Sequence, residues 1–297
     1  MLDIQDTNTI YNTLKWAVKT LNDSGIESPN IDAEILLAYV LSCDRLGLHT
    51  NPERIVKHED FARFKELVSD RTSRTPLQYI TGHVEFMSLD FIVDERVLIP
   101  RQETEILVET VLNKVKNKPV LNKTITIIDI GTGSGNISVS LASYLKDVQL
   151  FASDISKEAL AVAKINAQKN NVVDKVCLLR GNLFGPFNNR LEKENIDFIV
   201  SNPPYVADSE LDRLGPEIKE HEPLKALVAG RDGLCFYKQI IKEAPVWLKA
   251  NGFLVMEVGE TQARTVKSLI EIEGHFRNIE IFKDLQGIER IISAERK

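Results

Sequence analysis

The chain has little cysteine and no metal-binding spacing. Its 297 residues include three cysteines and five histidines. Cys43, Cys177 and Cys235 lie far apart without a CxxC pair, and the histidines show no HExxH spacing. Scattered thiols without paired spacing are typical of proteins from a reducing compartment. The sequence therefore predicts neither a disulfide framework nor a metal site.

Long apolar runs and an excess of positive charge are also missing. No stretch approaches the ~18 apolar residues that a membrane span needs, and the acidic start of the chain does not resemble a signal peptide. We therefore expect a cytoplasmic protein without a membrane partner. The formal net charge of −6 argues against a broad phosphate-binding face. We also expect no direct contact with nucleic acid.

Three apolar stripes at helical spacing occupy the first part of the chain. They predict a small helical domain over residues 1–75, whereas loose alternation over residues 83–93 predicts a β-hairpin within a linker at 76–95. A second domain then covers residues 96–297. The stripes consist of Ile10, Leu14, Ala17 and Leu21, then Ile31, Ile35, Leu36 and Val40, then Phe61, Phe64, Leu67 and Val68.

Strands and helices alternate in the second domain. Alternation of this kind predicts a doubly wound parallel sheet with helices on both faces. The predicted strands are 124–130, 148–155, 176–179, 196–200 and 253–258, with two more at 279–282 and 290–293. The last two are separated by too few residues for a parallel crossover, so they must pair antiparallel. This seven-stranded, mostly parallel sheet is the architecture of Rossmann-like class I methyltransferases.

A glycine-rich turn follows the first predicted strand of this domain. Its spacing is G-x-G-x-G, not the G-x-G-x-x-G that binds a pyrophosphate. Asp154 lies about 20 residues further on, as expected for an acid that accepts from ribose hydroxyls, although it could instead cap the next helix. Asn182, at the end of the third strand, could contact adenine. These features favour S-adenosyl-L-methionine over NAD, with Gly131, Thr132, Gly133, Ser134, Gly135, Asp154 and Asn182 as cofactor-binding residues.

Asn202-Pro203-Pro204-Tyr205 directly follows the fourth strand. Tandem prolines end a strand and stiffen the following loop, so a rigid turn is the simplest interpretation. A methyl-acceptor site explains all four residues. The side-chain oxygen of Asn202 and the carbonyl of Pro203 can accept hydrogen bonds from an amide NH₂, and Tyr205 can stack on the planar group. We therefore assign Asn202, Pro203 and Tyr205 to catalysis and Asn202 to Tyr205 to substrate binding.

Several stretches together resemble the peptide chain release factor glutamine methyltransferases, the PrmC/HemK family. They are residues 76–82 (PLQYITG), 98–105 (LIPRQETE), 129–135 (DIGTGSG), 202–205 (NPPY) and 222–234. The resemblance implies methylation of the glutamine in the Gly-Gly-Gln motif of class I release factors, with an N-terminal helical domain that docks this substrate. It also implies that Asn202 lies at the cofactor. Two residues depart from the family pattern, Gln102 in place of Pro and Asn182 in place of Asp.

Several alternatives remain open at the level of sequence. The acceptor could be glutamine in a ribosomal protein or an adenine amino group in DNA or RNA, and the chain could bind the cofactor without catalysis. Arg101 and Glu105 either line the cofactor pocket or begin a solvated helix. Glu222 and Asp232 either order a substrate lid or cap turns. The stretch around Glu257 is interpreted as buried strand.

Overall fold

The computed structural model describes residues 8–117 and 124–297, which form two compact units. The N-terminal unit consists of residues 8–82 together with residues 215–221, and the other described residues make the C-terminal unit. Each unit has its own buried apolar core. The acidic start of the chain, on which the signal-peptide prediction rests, lies outside the described residues.

The N-terminal unit is helical, as its apolar periodicity predicts. Its first five helices are α1 (Ile10–Asp23), α2 (Pro29–Leu41), α3 (Arg45–Thr50), α4 (His58–Thr72) and α5 (Leu77–Thr81). The Thr9 hydroxyl caps α1 by accepting from the Asn12 amide, and Pro29 opens α2 at a position where no amide donor is needed. One residue of the second apolar stripe does not face the core, because Ile31 is 47% exposed. The buried face of α2 instead includes Ala33, Leu36 and Leu37.

The N-terminal unit extends beyond the predicted boundary at residue 75. Leu77 and Ile80 of α5 pack against its core, so residues 76–82 belong to this unit and not to a linker. A buried ion pair also joins α2 to α4, since Arg71 Nε donates to Asp32 Oδ2 at 2.7 Å. The docking role of this unit stays a prediction.

The C-terminal unit contains the predicted alternation of strands and helices. Its elements are β1 (His83–Phe86), β2 (Leu89–Ile92), α6 (Glu105–Asn117), β3 (Ile125–Ile130), α7 (Asn136–Tyr144), β4 (Val148–Asp154), α8 (Lys157–Lys169), β5 (Val176–Arg180), β6 (Ile196–Ser201), α10 (Cys235–Trp247), β7 (Leu248–Glu257), α11 (Ala263–Glu273), β8 (Phe276–Lys283) and β9 (Glu289–Arg296). The short helix α9 (Pro216–His221) precedes α10 in the chain but belongs to the N-terminal unit.

Seven strands form one sheet in the order β5-β4-β3-β6-β7-β9-β8. The pairs from β5 to β7 are parallel, whereas β9 pairs antiparallel with both β7 and β8. Every residue of β6 is buried, as expected for a central strand covered on both faces. The predicted doubly wound sheet with an antiparallel C-terminal strand is confirmed. The strand order reverses between β3 and β6, and such switch points are where open α/β sheets bind ligands.

The predicted hairpin is present as β1 and β2, which pair antiparallel. Phe86 and Phe91 are buried in the core of the C-terminal unit, so the hairpin packs as part of this unit and is not a free linker. Across residues 8–117 and 124–297, no helix is both long enough and apolar enough to cross a membrane.

Candidate active site

A cavity of about 380 Å³ opens at the carboxyl ends of β3, β4, β5 and β6. Four loops that follow these strands contribute to its lining, together with residues 96–101 and Thr104 and part of the segment after Glu222. This location is the switch point of the sheet. Among the predicted site residues, those that line the cavity are Gly131, Thr132, Gly133, Ser134, Asp154, Asn182, Asn202, Pro203 and Pro204.

The glycine-rich loop wraps the end of β3. Gly131, Gly133 and Gly135 have φ values of +72°, +54° and +81°, a region that favours glycine because a Cβ would clash with the backbone. Gly135 does not line the cavity. It precedes α7, and a Cβ there would lie 3.1 Å from that of Ala163, so Gly135 permits close packing of the loop on α8.

Asp129, the second-last residue of β3, holds this loop in place through hydrogen bonds from the core side. Its Oδ2 accepts from the hydroxyls of Thr132 at 2.7 Å and Ser138 at 2.6 Å. Complete burial raises the pKa of the Asp129 carboxyl to about 6, against the opposing effect of these two hydrogen bonds. Asp129 therefore organises the loop from within the core, and it does not itself line the cavity.

Asp154 ends β4 and faces the glycine loop. Its Oδ2 accepts from the Gly133 amide at 2.9 Å and its Oδ1 from the Ser156 amide at 2.8 Å. The helix-cap alternative for Asp154 is wrong, because the Ser156 side chain caps α8 by accepting from the Ala159 amide. Burial raises the pKa of Asp154. A carboxylate has about four acceptor sites, so Asp154 can still accept from a ligand hydroxyl.

Asn182 also lines the cavity, two residues beyond the end of β5 at Arg180. The predicted position at the strand end is therefore slightly wrong, although the side chain reaches the expected edge of the sheet. The roles of Asp154 and Asn182 in cofactor binding stay predictions.

The Asn202–Tyr205 segment leaves β6 directly at the cavity. The Ser201 hydroxyl donates to the Ile130 carbonyl at 2.7 Å and so joins the ends of β6 and β3. Asn202, Pro203 and Pro204 line the cavity, whereas Tyr205 does not. Tyr205 is anchored by its backbone, because its amide donates to Leu227 at 3.1 Å and its carbonyl accepts from Gln262 Nε2 at 2.9 Å. Burial raises the pKa of Tyr205 to about 12, so this phenol stays protonated.

Two buried side chains lie behind Asn202. Asn202 Nδ2 donates to Thr104 Oγ1 at 3.2 Å, and Thr104 Oγ1 donates to Glu257 Oε2 at 2.5 Å. Glu257 ends β7 as a buried strand residue, as predicted, but its carboxyl belongs to the surroundings of the site. Thr104 was missed by the sequence analysis. The only available signal was its place in the stretch 98–105 that resembles the family.

The residues whose roles the sequence left open differ in their positions relative to the cavity. Arg101 lines the cavity, and its Nη2 donates to the buried carboxylate of Glu222 at 2.5 Å. Glu105 does not line the cavity and instead accepts from the Met87 amide of the hairpin at 2.6 Å. Asp232 accepts from the Leu234 amide, so it caps a turn.

The cavity fits a ligand of nucleoside size. Small-molecule sites commonly have volumes of about 300–1,000 Å³, and this cavity lies within that range. The buried Ser134 hydroxyl on its wall has no hydrogen-bond partner among the described residues. Because buried polar groups are normally paired, this hydroxyl is available to a ligand. Across the described ranges, no group of three or more His, Cys, Asp or Glu side chains could hold a metal ion.

Comparisons with known proteins agree with this geometry. Residues 12–82 match the PrmC N-terminal domain, and residues 102–218 match the methyltransferase small domain. Release factor glutamine methyltransferase of Clostridium acetobutylicum is 40% identical over 287 residues, which cover 97% of this chain and 98% of the relative. The protein of the same name from Geobacter sulfurreducens is 38% identical, with 96% of each chain covered.

The chain belongs to the release factor glutamine methyltransferase family. It is a methyltransferase, and S-adenosyl-L-methionine is its methyl donor. The resemblance stated from the sequence motifs is thereby confirmed.

Solved structures support the fold. The hMettl16 catalytic domain in complex with MAT2A 3'UTR hairpin 1 aligns with a TM-score of 0.55 at 17% identity, covering 82% of this chain and 83% of that one. The delta-N METTL16 MTase domain aligns with a TM-score of 0.50 at 19% identity, covering 78% and 97%. At these identities the likeness concerns the fold alone, which is that of a Rossmann-like class I methyltransferase.

Proposed function

We propose that this family member methylates the side-chain amide nitrogen of the glutamine in the Gly-Gly-Gln motif of class I peptide chain release factors. The observation that carries the proposal is that Asn202, Pro203 and Pro204 line the same cavity as the glycine-rich loop. An acceptor held by these residues would lie next to a cofactor held by the loop. Relatives that share about two fifths of the sequence over nearly its whole length carry the corresponding name.

Methyl transfer to an amide requires accurate positioning of the amide nitrogen more than it requires a general base. S-adenosyl-L-methionine, when bound, supplies a methyl group on a positively charged sulfur, and transfer to nitrogen breaks that carbon–sulfur bond. An amide nitrogen is a weak nucleophile because its lone pair is delocalised. We assign Asn202 Oδ1 and the Pro203 carbonyl to accept the two N–H groups, which orients the nitrogen. Such orientation can contribute on the order of 7–11 kcal/mol to a bimolecular step.

The neighbouring residues fit this assignment. The two prolines keep the loop stiff, and the backbone hydrogen bonds of Tyr205 to Leu227 and Gln262 hold the loop end. The displaced proton of the amide leaves to solvent late in the reaction, so no strong base is required. We further propose that the N-terminal helical unit docks the release factor and that the protein acts in the cytoplasm, where release factors work.

The test is mass spectrometry of a recombinant class I release factor after incubation with this protein and S-adenosyl-L-methionine. We expect one added methyl group on the Gly-Gly-Gln glutamine. Asn202→Ala should lower kcat by more than about 100-fold, the scale for losing a positioned polar group, with the Kd for S-adenosyl-L-methionine changed less than about threefold.

Two results would contradict the proposal in different ways. Transfer to a ribosomal protein or to a nucleic acid, with none to the release factor, would overturn the acceptor while keeping the cofactor site. Full activity of Asn202→Ala on the release factor would overturn the role of Asn202 Oδ1 in the acceptor clamp, the pair of oxygens of Asn202 and Pro203 that orients the glutamine amide. It would leave the release factor as the substrate. A release factor in which the glutamine is replaced by alanine serves as the control for the site of modification.

A further inference from the structure

The hydrogen bonds behind Asn202 have a defined direction. A carboxylate can only accept, and a threonine hydroxyl has a single proton to donate. Since the Thr104 proton is directed to Glu257 Oε2 at 2.5 Å, the Thr104 oxygen can only accept from Asn202. The NH₂ group of Asn202 therefore turns toward Thr104, and its Oδ1 turns away.

This direction matters because an asparagine amide has two orientations of nearly the same shape. They exchange the oxygen and the nitrogen, and only hydrogen-bond partners distinguish them. An acceptor clamp needs Oδ1 toward the substrate, whereas the flipped amide would present a donor to the NH₂ group of glutamine.

We infer that Thr104 and Glu257 are positioning residues that hold the Asn202 amide with its oxygen toward the methyl acceptor. This inference rests on the proposed function, in which Asn202 Oδ1 accepts from the substrate amide. Thr104 and Glu257 are 1% and 3% exposed, so water does not compete for their hydrogen bonds. Thr104 lies in a single 3₁₀ turn (Gln102–Thr104) directly before α6, and Glu257 ends β7, so the two residues hold Asn202 from separate elements.

The two hydrogen bonds that link Asn202, Thr104 and Glu257 form a relay, and the charge on Glu257 decides the direction of both bonds. Burial, together with the nearby charge of Glu103, raises the pKa of Glu257 to about 7, although the Thr104 hydrogen bond and the charges of Arg290 and Arg101 oppose this rise. The phenols of Tyr205 and Tyr237 complete the surroundings, with the Tyr237 hydroxyl donating to the Glu257 backbone carbonyl. Once Glu257 is protonated, it can donate to Thr104, whose own proton then favours the flipped Asn202.

The first test compares three threonine variants for methylation of the release factor. Thr104→Val removes the hydroxyl with little change in shape, and we expect kcat to fall about 10- to 100-fold, the scale for a misplaced reacting group. Thr104→Ser keeps the hydroxyl and should restore kcat to within about threefold of the wild type. Thr110 is also a buried threonine and lies on α6. Thr110→Val is therefore the matched control and should leave kcat unchanged.

The split between kinetic constants separates positioning from general damage. We expect Thr104→Val to change the Kd for S-adenosyl-L-methionine by less than about threefold, because ground-state cofactor binding does not use the amide orientation. Wild-type kcat in a folded Thr104→Val variant would overturn the relay while leaving the proposed function intact. A wild-type protein without activity on release factors would overturn the proposed function itself.

The second test is the pH dependence of kcat. In the wild type we expect kcat to fall as the pH drops below about 7, where Glu257 takes up a proton. Glu257→Gln does not titrate, so this acidic limb should disappear and kcat should be low but flat. An acidic limb that persists unchanged in Glu257→Gln would assign the titration to another group and overturn the role of Glu257.

Discussion

At the residue scale, Gly233 packs tightly against the end of the Asn202–Tyr205 segment, here called the acceptor loop. Its φ is +70°, and a Cβ there would lie 2.5 Å from the Tyr205 carbonyl oxygen and 2.6 Å from Gln262 Nε2. These two atoms form the hydrogen bond that anchors Tyr205. Glycine at this position therefore allows Gln262 to reach the backbone of the acceptor loop.

Gly233→Ala should disturb both stability and catalysis. Gly230 is a matched control, because its φ is +75° but nothing lies within 4 Å of a Cβ there. Gly230→Ala should lower the free energy of unfolding by about 1–2 kcal/mol through backbone strain alone. Gly233→Ala should cost clearly more and should also lower kcat, because the Tyr205 backbone must move. Urea unfolding and methylation rates measure the two effects, and equal losses of stability would contradict the close-contact argument.

At the element scale, one side chain of α8 connects the hairpin to the cofactor loop. Asn166 is fully buried. Its Oδ1 accepts from the Ile92 amide at 2.7 Å, and its Nδ2 donates to the carbonyls of Ile92 and Ser134, both at 2.9 Å. It therefore ends β2 and holds the glycine-rich loop at the same time. The predicted alternation of strands and helices gave no indication of this role.

Asn166→Ala should weaken both elements. The substitution leaves three backbone groups without their partner, and each unsatisfied buried group costs about 1–3 kcal/mol. We expect the free energy of unfolding to fall by at least about 3 kcal/mol and the Kd for S-adenosyl-L-methionine to rise. Asn170→Ala, at the C-cap of α8, is the control, because the Asn170 side chain donates only to the carbonyls of Asp90 and Asn166 and not to the glycine-rich loop. Calorimetric titration with the cofactor checks the second effect, and an unchanged Kd would show that the loop does not need Asn166.

At the scale of the whole molecule, two buried carboxyls make stability depend on pH. Burial raises the pKa of Asp129 from 3.8 to about 6 and that of Glu257 from 4.5 to about 7. Between the unfolded and folded pKa values, the folded state binds more protons than the unfolded state. Stability contributed by these groups is therefore greatest at low pH and is lost as the pH rises through these windows.

Replacing each carboxyl by its amide should remove this dependence. Relative to the wild type, Glu257→Gln should gain stability as the pH rises from about 4.5 to 7, by on the order of 3 kcal/mol. Asp129→Asn should show the same trend between about pH 4 and 6. Denaturant unfolding across pH 4–8 measures the difference. A gap between wild type and variant that stays constant across this range would contradict the raised pKa values.

The sequence by itself determined the features that depend on neighbouring residues. Hydrophobic periodicity specified the helical unit and the alternating strands, because the burial of one helix face or of a whole strand depends on residues that are close in sequence. The short connection before Arg290 required antiparallel pairing. The glycine spacing and the Asn202–Tyr205 motif were readable because turn conformation and proline rigidity are also local properties.

Only the tertiary structure decided which distant side chains meet. Thr104 and Glu257 are 153 residues apart in the chain, and Asn166 contacts Ile92 across 74. No local pattern encodes such pairs, because each depends on how the sheet and its covering helices pack. The same packing exposes Ile31 in spite of its place in an apolar stripe and moves Gly135 from the cavity wall to a helix contact. The sequence thus specified the chemical groups of the site, and the fold supplied the buried hydrogen bonds that orient them.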